Sequence, residues 1–331
     1  MPSGLLEIDP LQRELASLLE DRLHCVTAIF ERQLASELSA VNALCLHVEH
    51  YRGKMLRPTL VLVSGLAAKK DAVLSEKHEI LAAVVEMIHM ATLVHDDILD
   101  EATVRRQGDT VNHLWGNETA VMLGDYLISN AFHLCSLAGD PAINLALGKV
   151  TNTLCEGELV QLRHRNNLSM DEATYFEIVR RKTGSLIGVC CELGSMLSGA
   201  DASITDSLRR FGEHLGIAFQ IRDDLLDLVG DEQVVGKSLG KDLEKGKFTL
   251  PVIHALTTAS PRNRQRLFDA IAHRDAYAVS RQLQESGAVE QATKKAEAEV
   301  NRARQELATL PAGDIRTLLH RMAEEVISRS A

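Results

Sequence analysis

The chain has 331 residues, 45% of them hydrophobic, enough to bury a sizeable core. Its 46 acidic residues outnumber 36 basic ones for a formal net charge of −10, which argues against nucleic acid as a partner. The longest apolar stretch, around Leu60–Ala68, is far short of the roughly 20 residues that cross a bilayer, so no transmembrane segment is expected. No basic-then-apolar leader pattern opens the sequence, and six irregularly spaced cysteines form neither a disulfide framework nor a CxxC metal pattern. A reducing cytoplasm is the expected setting.

Helix dominates the pattern. Prolines stand only at positions 2, 10, 58, 141, 251, 261 and 311, leaving 59–140 and 142–250 free of the strongest helix breaker. Amphipathic runs recur without alternating Val/Ile/Thr stretches, so strands are not expected. The spacing predicts helices near 11–49, 57–69, 76–102, 118–138, 142–164, 171–199, 202–229, 246–258, 262–286, 288–308 and 312–329. No linker rich in Pro, Gly or Ser divides the chain, so an all-α single domain over 1–331 is expected.

In chain order, chemistry first gathers at Gly53-Lys54-Met55-Leu56-Arg57-Pro58, two cations at a helix entrance. Backbone N–H groups there, with Lys and Arg, suit an anion, although a solvated basic turn looks the same in isolation. Next comes His95-Asp96-Asp97-Ile98-Leu99-Asp100, with His89 on the same helical stripe as Asp96 and Asp100. An Arg105-Arg106 pair follows; alone it reads equally well as a surface salt-bridge partner. Lys182-Thr183 sits in mid-helix before Gly184. A second acidic cluster, Arg222-Asp223-Asp224-Leu225-Leu226-Asp227, nearly copies the first, with Gln220 on its stripe. A Gly/Lys-rich loop, Gly236 to Lys247, comes after it.

Carboxylates four apart share a helix face and repel by a few tenths of a kcal/mol per pair unless something cationic neutralises them. Clustered carboxylate oxygens suit hard cations, and Mg²⁺ characteristically bridges one or two of them to substrate phosphates. A magnesium–diphosphate site is the leading reading, with cations flanking both clusters.

These segments together resemble the trans-isoprenyl diphosphate synthases, particularly the long-chain polyprenyl diphosphate synthases of bacteria. The resemblance rests on Gly53 to Pro58, Glu86 to Glu101, Arg105-Arg106, Gly124-Asp125-Tyr126, Lys182-Thr183-Gly184, Phe219 to Asp227, Gly236-Lys237 and Gly246 to Pro251. The 80 C-terminal residues carry no such motif. One departure is Gln107, where many relatives have glycine directly after the Arg pair.

The resemblance implies an isoprenoid-synthase helical bundle with the Asp motifs facing a central cavity, and a homodimer. It implies head-to-tail condensation of isopentenyl diphosphate with an allylic diphosphate, using two or three Mg²⁺ ions. Asp96, Asp100 and Asp223 would hold metal, with Asp97, Asp224 and Asp227 as supporting ligands or one shell behind. Arg105, Lys182, Thr183, Gln220 and Lys237 would contact the allylic diphosphate or its chain, and Lys247 would also bind substrate. Lys54, Arg57, His89 and Arg106 would bind isopentenyl diphosphate without metal. Ile88, Ala91 and Thr92 would line the floor beneath Asp96. No Phe or Tyr stands at 91 or 92 to stop a growing tail, so a product beyond fifteen carbons is expected. The alternatives are a farnesyl or geranylgeranyl synthase of the same family and a non-catalytic subunit of a heteromeric synthase. A terpene cyclase would not need the second diphosphate site that His89, Arg57 and the Arg pair suggest.

Overall fold

The computed structural model describes residues 10–106, 108–229 and 240–328. The helices in chain order are α1 (Pro10–Leu34), α2 (Ser39–Val48), α3 (Leu56–Ala67), α4 (Glu76–Leu99), α5 (Val111–Leu137), α6 (Pro141–Arg163), α7 (Glu172–Val179), α8 (Ser185–Leu197) and α9 (Ala202–Val229). They continue as α10 (Lys241–Glu244), α11 (Leu250–Thr258), α12 (Pro261–Ala272), α13 (Ala276–Glu285), α14 (Ala288–Glu306) and α15 (Asp314–Ser328). The all-α expectation holds, with one exception. A two-residue hairpin, β1 (Val104–Arg105) and β2 (Gly108–Asp109), joins α4 to α5. It is too short to leave an alternating signal.

Several expected helices are divided, each for a local reason. The run 11–49 breaks at 35–38, where Asn42 trades hydrogen bonds with the Ser36 backbone, accepting from its N–H at 2.8 Å and donating to its carbonyl at 2.5 Å. Such side-chain bonds compete with the helical ladder. The run 262–286 breaks where Arg274 takes φ 53° and the Asp275 carboxylate accepts the Ala278 N–H at 2.9 Å, starting α13. The run 171–199 contains a π-turn at Arg180–Gly184, a widening common at functional positions. Helix α11 starts at Leu250 rather than 246, since Gly246 has φ 68° and Thr249 is extended. Helix α5 begins before the expected 118 and kinks at Gly116 (φ 85°, ψ 164°).

Two compact units contain the described residues, and neither is continuous in sequence. One draws on Met1–Ala146, Cys190–Leu208 and Thr309–Leu319; the other on Leu147–Val189, Arg209–Ala308 and His320–Ala331. In the first, α4 is central and packs on α1, α3 and α5. Leu81, Val84, Val85, Met87, Ile88, Met90 and Val94 are buried along it, each such side chain stabilising by about 1.5–3 kcal/mol. The start of α4 is held by His78, whose Nδ1 accepts the Ser75 backbone N–H at 3.1 Å. Its Nε2 is then the donor, at 3.0 Å from Ser198 Oγ.

In the second unit, Ile217, Ile221, Leu225 and Leu228 of α9 enter a core with Tyr175, Val179, Leu243, Phe248, Leu250, Val279 and Leu283. That stripe anchors the face of α9 opposite Asp223. No described helix is long and apolar enough to cross a membrane.

Candidate active site

In the first unit the acidic motif occupies the last turn of α4, and helical geometry divides its carboxylates. Asp96 and Asp100 are half-buried, whereas Asp97 is 1% exposed. Arg105, on the hairpin, bonds both Asp97 oxygens from Nε at 2.9 and 3.0 Å, and Oδ1 again from Nη2 at 2.7 Å. Asn112 secures the turn beneath by donating to the carbonyls of Asp97 at 3.3 Å and Ala102 at 3.0 Å. Arg106 holds φ 49°, in the left-handed region, at the tip of the hairpin. His95, beside the motif, fits a notch at Gly124, where an added Cβ would come 2.1 Å from Nε2.

The cation cluster lies in the same unit. Burial, and then Arg57, Arg106 and Arg105, hold His89 well below the ordinary imidazole range, so it stays neutral and offers one donor and one acceptor. Glu86 is 3% exposed; burial raises its carboxyl against the opposing pull of Arg57, Arg106 and Arg52. Arg106 crowds Gly53, where a Cβ would lie 2.3 Å from Nη2. Lys54 is exposed on the same turn. Ile88 and Ala91 are fully buried one to two turns below Asp96, and the Thr92 hydroxyl donates to the His89 carbonyl at 2.7 Å.

In the second unit the repeated motif divides differently. Asp223 is half-buried, while Asp224 and Asp227 are 5% and 2% exposed. Asp224 accepts from the Tyr175 hydroxyl at 2.6 Å and from Gln220 Nε2 at 2.9 Å. Gln220 Oε1 in turn accepts the Thr183 hydroxyl at 2.8 Å, tying the π-turn to the motif. Burial and then Asp242 push the Asp224 carboxyl up to about 7, against the Tyr175 and Gln220 hydrogen bonds. Asp227 Oδ2 accepts the Asp242 N–H at 3.1 Å, and its carbonyl accepts the Gly240 N–H at 2.7 Å. It thereby anchors the segment leading to Lys247, whose own N–H donates to the Asp242 carbonyl at 2.8 Å. Lys182 donates to Gln161 Oε1 at 2.6 Å and pairs with Glu158. Lys237 and Gly236 lie outside the described residues.

Tyr51 in the first unit, whose hydroxyl accepts the Val111 N–H at 3.1 Å, and Tyr175, Glu158 and Gln161 in the second were not singled out from sequence. They have no spacing relation to the motifs, and their roles depend on tertiary contacts alone. Among the described residues no three His, Cys, Asp or Glu side chains form a metal cage by themselves. The carboxylates still fit Mg²⁺, which keeps several waters and uses one or two carboxylates plus phosphate oxygens.

The polyprenyl synthetase family profile matches residues 39–286. The chain is 34% identical over 328 residues to the geranyl-diphosphate-specific all-trans-nonaprenyl-diphosphate synthase of Rhodobacter capsulatus, covering 98% of this chain and 99% of that one. It is 32% identical over 314 residues to heptaprenyl diphosphate synthase component 2 of Bacillus subtilis, covering 95% and 89%. A polyprenyl synthase from Caulobacter crescentus CB15, solved with calcium and isoprenyl diphosphate, superposes with a TM-score of 0.90 at 32% identity, covering 96% and 97%. The chain belongs to the polyprenyl synthetase family. It is a prenyl-group transferase with the all-α isoprenoid-synthase fold.

Proposed function

We propose that the protein condenses isopentenyl diphosphate head-to-tail with an allylic diphosphate, giving an all-trans polyprenyl diphosphate longer than fifteen carbons. The observation that carries this reading is the pairing of a half-buried carboxylate set with a separate cluster of arginines around His89. One set suits a metal-bound diphosphate that ionises; the other suits a diphosphate bound without metal. Relatives named as nonaprenyl and heptaprenyl synthases support the long product.

Asp96, Asp100 and Asp223 would hold two or three Mg²⁺ ions, which would offset charge developing on the departing diphosphate. Arg105, Lys182, Thr183, Gln220 and Lys237 orient the allylic substrate, and Lys247 also binds substrate. Asp97, Asp224 and Asp227 support from behind. Lys54, Arg57, His89 and Arg106 grip isopentenyl diphosphate by charge-assisted hydrogen bonds. The allylic C–O bond breaks, the double bond of the second substrate forms the new C–C bond, and a proton leaves to the released diphosphate. Ile88, Ala91 and Thr92 set the space available to the tail.

The family profile runs across both compact units, which supports one catalytic domain. Six free cysteines favour the cytoplasm. A homodimer is supported by α5, where Leu114, Trp115, Val121 and Met122 are exposed on either side of the Gly116 kink. Beside them lies an apolar groove of about 440 Å³, lined by Val41, Leu44, Leu123 and Tyr126.

The test is incubation of the chain alone with isopentenyl diphosphate, allylic primers of increasing length and Mg²⁺, followed by measurement of product length. A product of fifteen or twenty carbons would make it a farnesyl or geranylgeranyl synthase. Substrate binding without product would favour a subunit of a heteromeric enzyme, an arrangement the name "component 2" attaches to one relative.

A further inference from the structure

Asp97 and Asp224 occupy the same place in their two motifs, and each meets a buried tyrosine from a distant element. A helix turns about 100° per residue, so a middle carboxylate lies about 100° round the helix from the first of its motif. Both middle carboxylates are turned inward, at 1% and 5% exposure. Tyr51, in the turn after α2, is 2% exposed; its hydroxyl accepts the Val111 N–H at 3.1 Å, and burial and then the neighbouring Asp97 carboxylate hold that hydroxyl well above the ordinary phenol range. Its ring also lies under the Arg105 guanidinium, 5.7 Å from the ring centre. Tyr175, on α7 and 4% exposed, donates to Asp224 Oδ2 at 2.6 Å. The other Asp224 oxygen leads through Gln220 to Thr183. A buried carboxylate without such partners is costly, so each hydroxyl favours one rotation of its helix end.

We propose that Tyr51 and Tyr175 are positioning residues, one for each acidic motif. Each pins the middle aspartate inward, and so fixes the direction in which Asp96 with Asp100, or Asp223, meets a metal–diphosphate. Tyr51 also sets the Arg105 guanidinium, and Tyr175 sets Gln220 and Thr183. The proposal deepens the reading above and rests on it for the identity of the ligand. It assigns neither tyrosine any contact with substrate.

The experiment removes the hydroxyls alone, with Tyr51→Phe and Tyr175→Phe, and titrates Mg²⁺ with inorganic diphosphate calorimetrically. Loss of an outer-shell partner typically costs about 10–100-fold in metal affinity or activity. A weakening of that size is expected in both variants. Ser198→Ala, which breaks the buried His78 link, should bind as the wild type does. Wild-type affinity in both tyrosine variants, or an equal loss in Ser198→Ala, would overturn the proposal. A second readout is coupling: Tyr175→Phe added to Asp224→Ala should cause no further loss, because the hydroxyl acts through that carboxylate. An additive loss would also overturn it. Turnover is measured separately on the wild type. Tight Mg²⁺–diphosphate binding without prenyl transfer would count against the proposed function, while the calorimetry would still decide the role of the tyrosines.

Discussion

Arg105 grips Asp97 through three hydrogen bonds of 2.7–3.0 Å, and Asp97 is almost wholly removed from water. A planar guanidinium suits this fork, whereas an ammonium is a point charge. Arg105→Ala would leave Asp97 buried without its cation, a loss of about 3–5 kcal/mol in unfolding free energy. Arg105→Lys should fall between, with kcat/KM for the allylic substrate reduced at least about tenfold, the low end of an outer-shell effect. Denaturant unfolding and steady-state kinetics on the two variants measure both. Unchanged stability in Arg105→Ala would show that the pair is replaceable by solvent.

Metal dependence follows from the half-buried Asp96, Asp100 and Asp223. Chelation should abolish turnover, and Asp96→Asn or Asp223→Asn should lower kcat by about 100-fold or more, the scale of lost electrostatic stabilisation. Full activity in excess chelator would remove metal from the mechanism.

The helical frame and both acidic motifs were legible because they depend on local spacing. Asp96 and Asp100 share a face wherever the helix goes, and Pro141 or Pro251 marks a helix start from sequence alone. The division among the carboxylates was only partly legible. Helical spacing alone gives Asp223 and Asp227 the same face, yet Asp227 is buried by the backbone N–H of Asp242. The π-turn at Lys182-Thr183 left only a hint, the helix-unfriendly Gly184. Tyr51 and Tyr175 left none, since each meets its aspartate across 46 or 49 positions (51 to 97, 175 to 224).

The histidine in the cation cluster should report on the substrate that does not ionise. His89→Ala or Arg57→Ala should mainly raise KM for isopentenyl diphosphate, with the allylic KM little changed. A shift confined to the allylic KM would mean that the two pockets are exchanged.

His89 and His78 also make stability depend on pH. Burial lowers both below the ordinary value of 6.5, helped at His89 by the neighbouring arginines. As pH falls through about 6.5 the unfolded imidazoles take protons before the folded ones do. The stability each contributes is present above that pH and lost below it, at up to about 1.4 kcal/mol per pH unit. Glu86 and Asp224, raised by burial, act in the opposite sense, so variants are compared rather than the wild-type slope alone. Between pH 7.5 and 5.5, His78→Gln and His89→Gln should each lose less stability than the wild type. Equal losses in denaturant midpoint would mean these imidazoles are protonated in the folded protein.

Product length is the sharpest test of the floor beneath Asp96. Ala91 and Ile88 are fully buried on α4, and Thr92 is only partly so. Phe at 91 or 92 adds a ring where a tail of three or more isoprene units would pass. Overpacking an apolar site typically costs about 1–3 kcal/mol. At Ala91 some of that cost should appear as a lower Tm even without substrate, because the position is already filled; at Thr92 less should. The remainder falls on the growing chain, and only once it is long enough to reach the ring. Early condensations should therefore keep their rate, while the released product becomes shorter in both variants. Chromatography of the dephosphorylated products gives the length, and single-turnover assays with the short primer give the first-step rate. A wild type that stops at fifteen carbons, or an unchanged product from a folded Thr92→Phe, would show that these side chains do not face the tail.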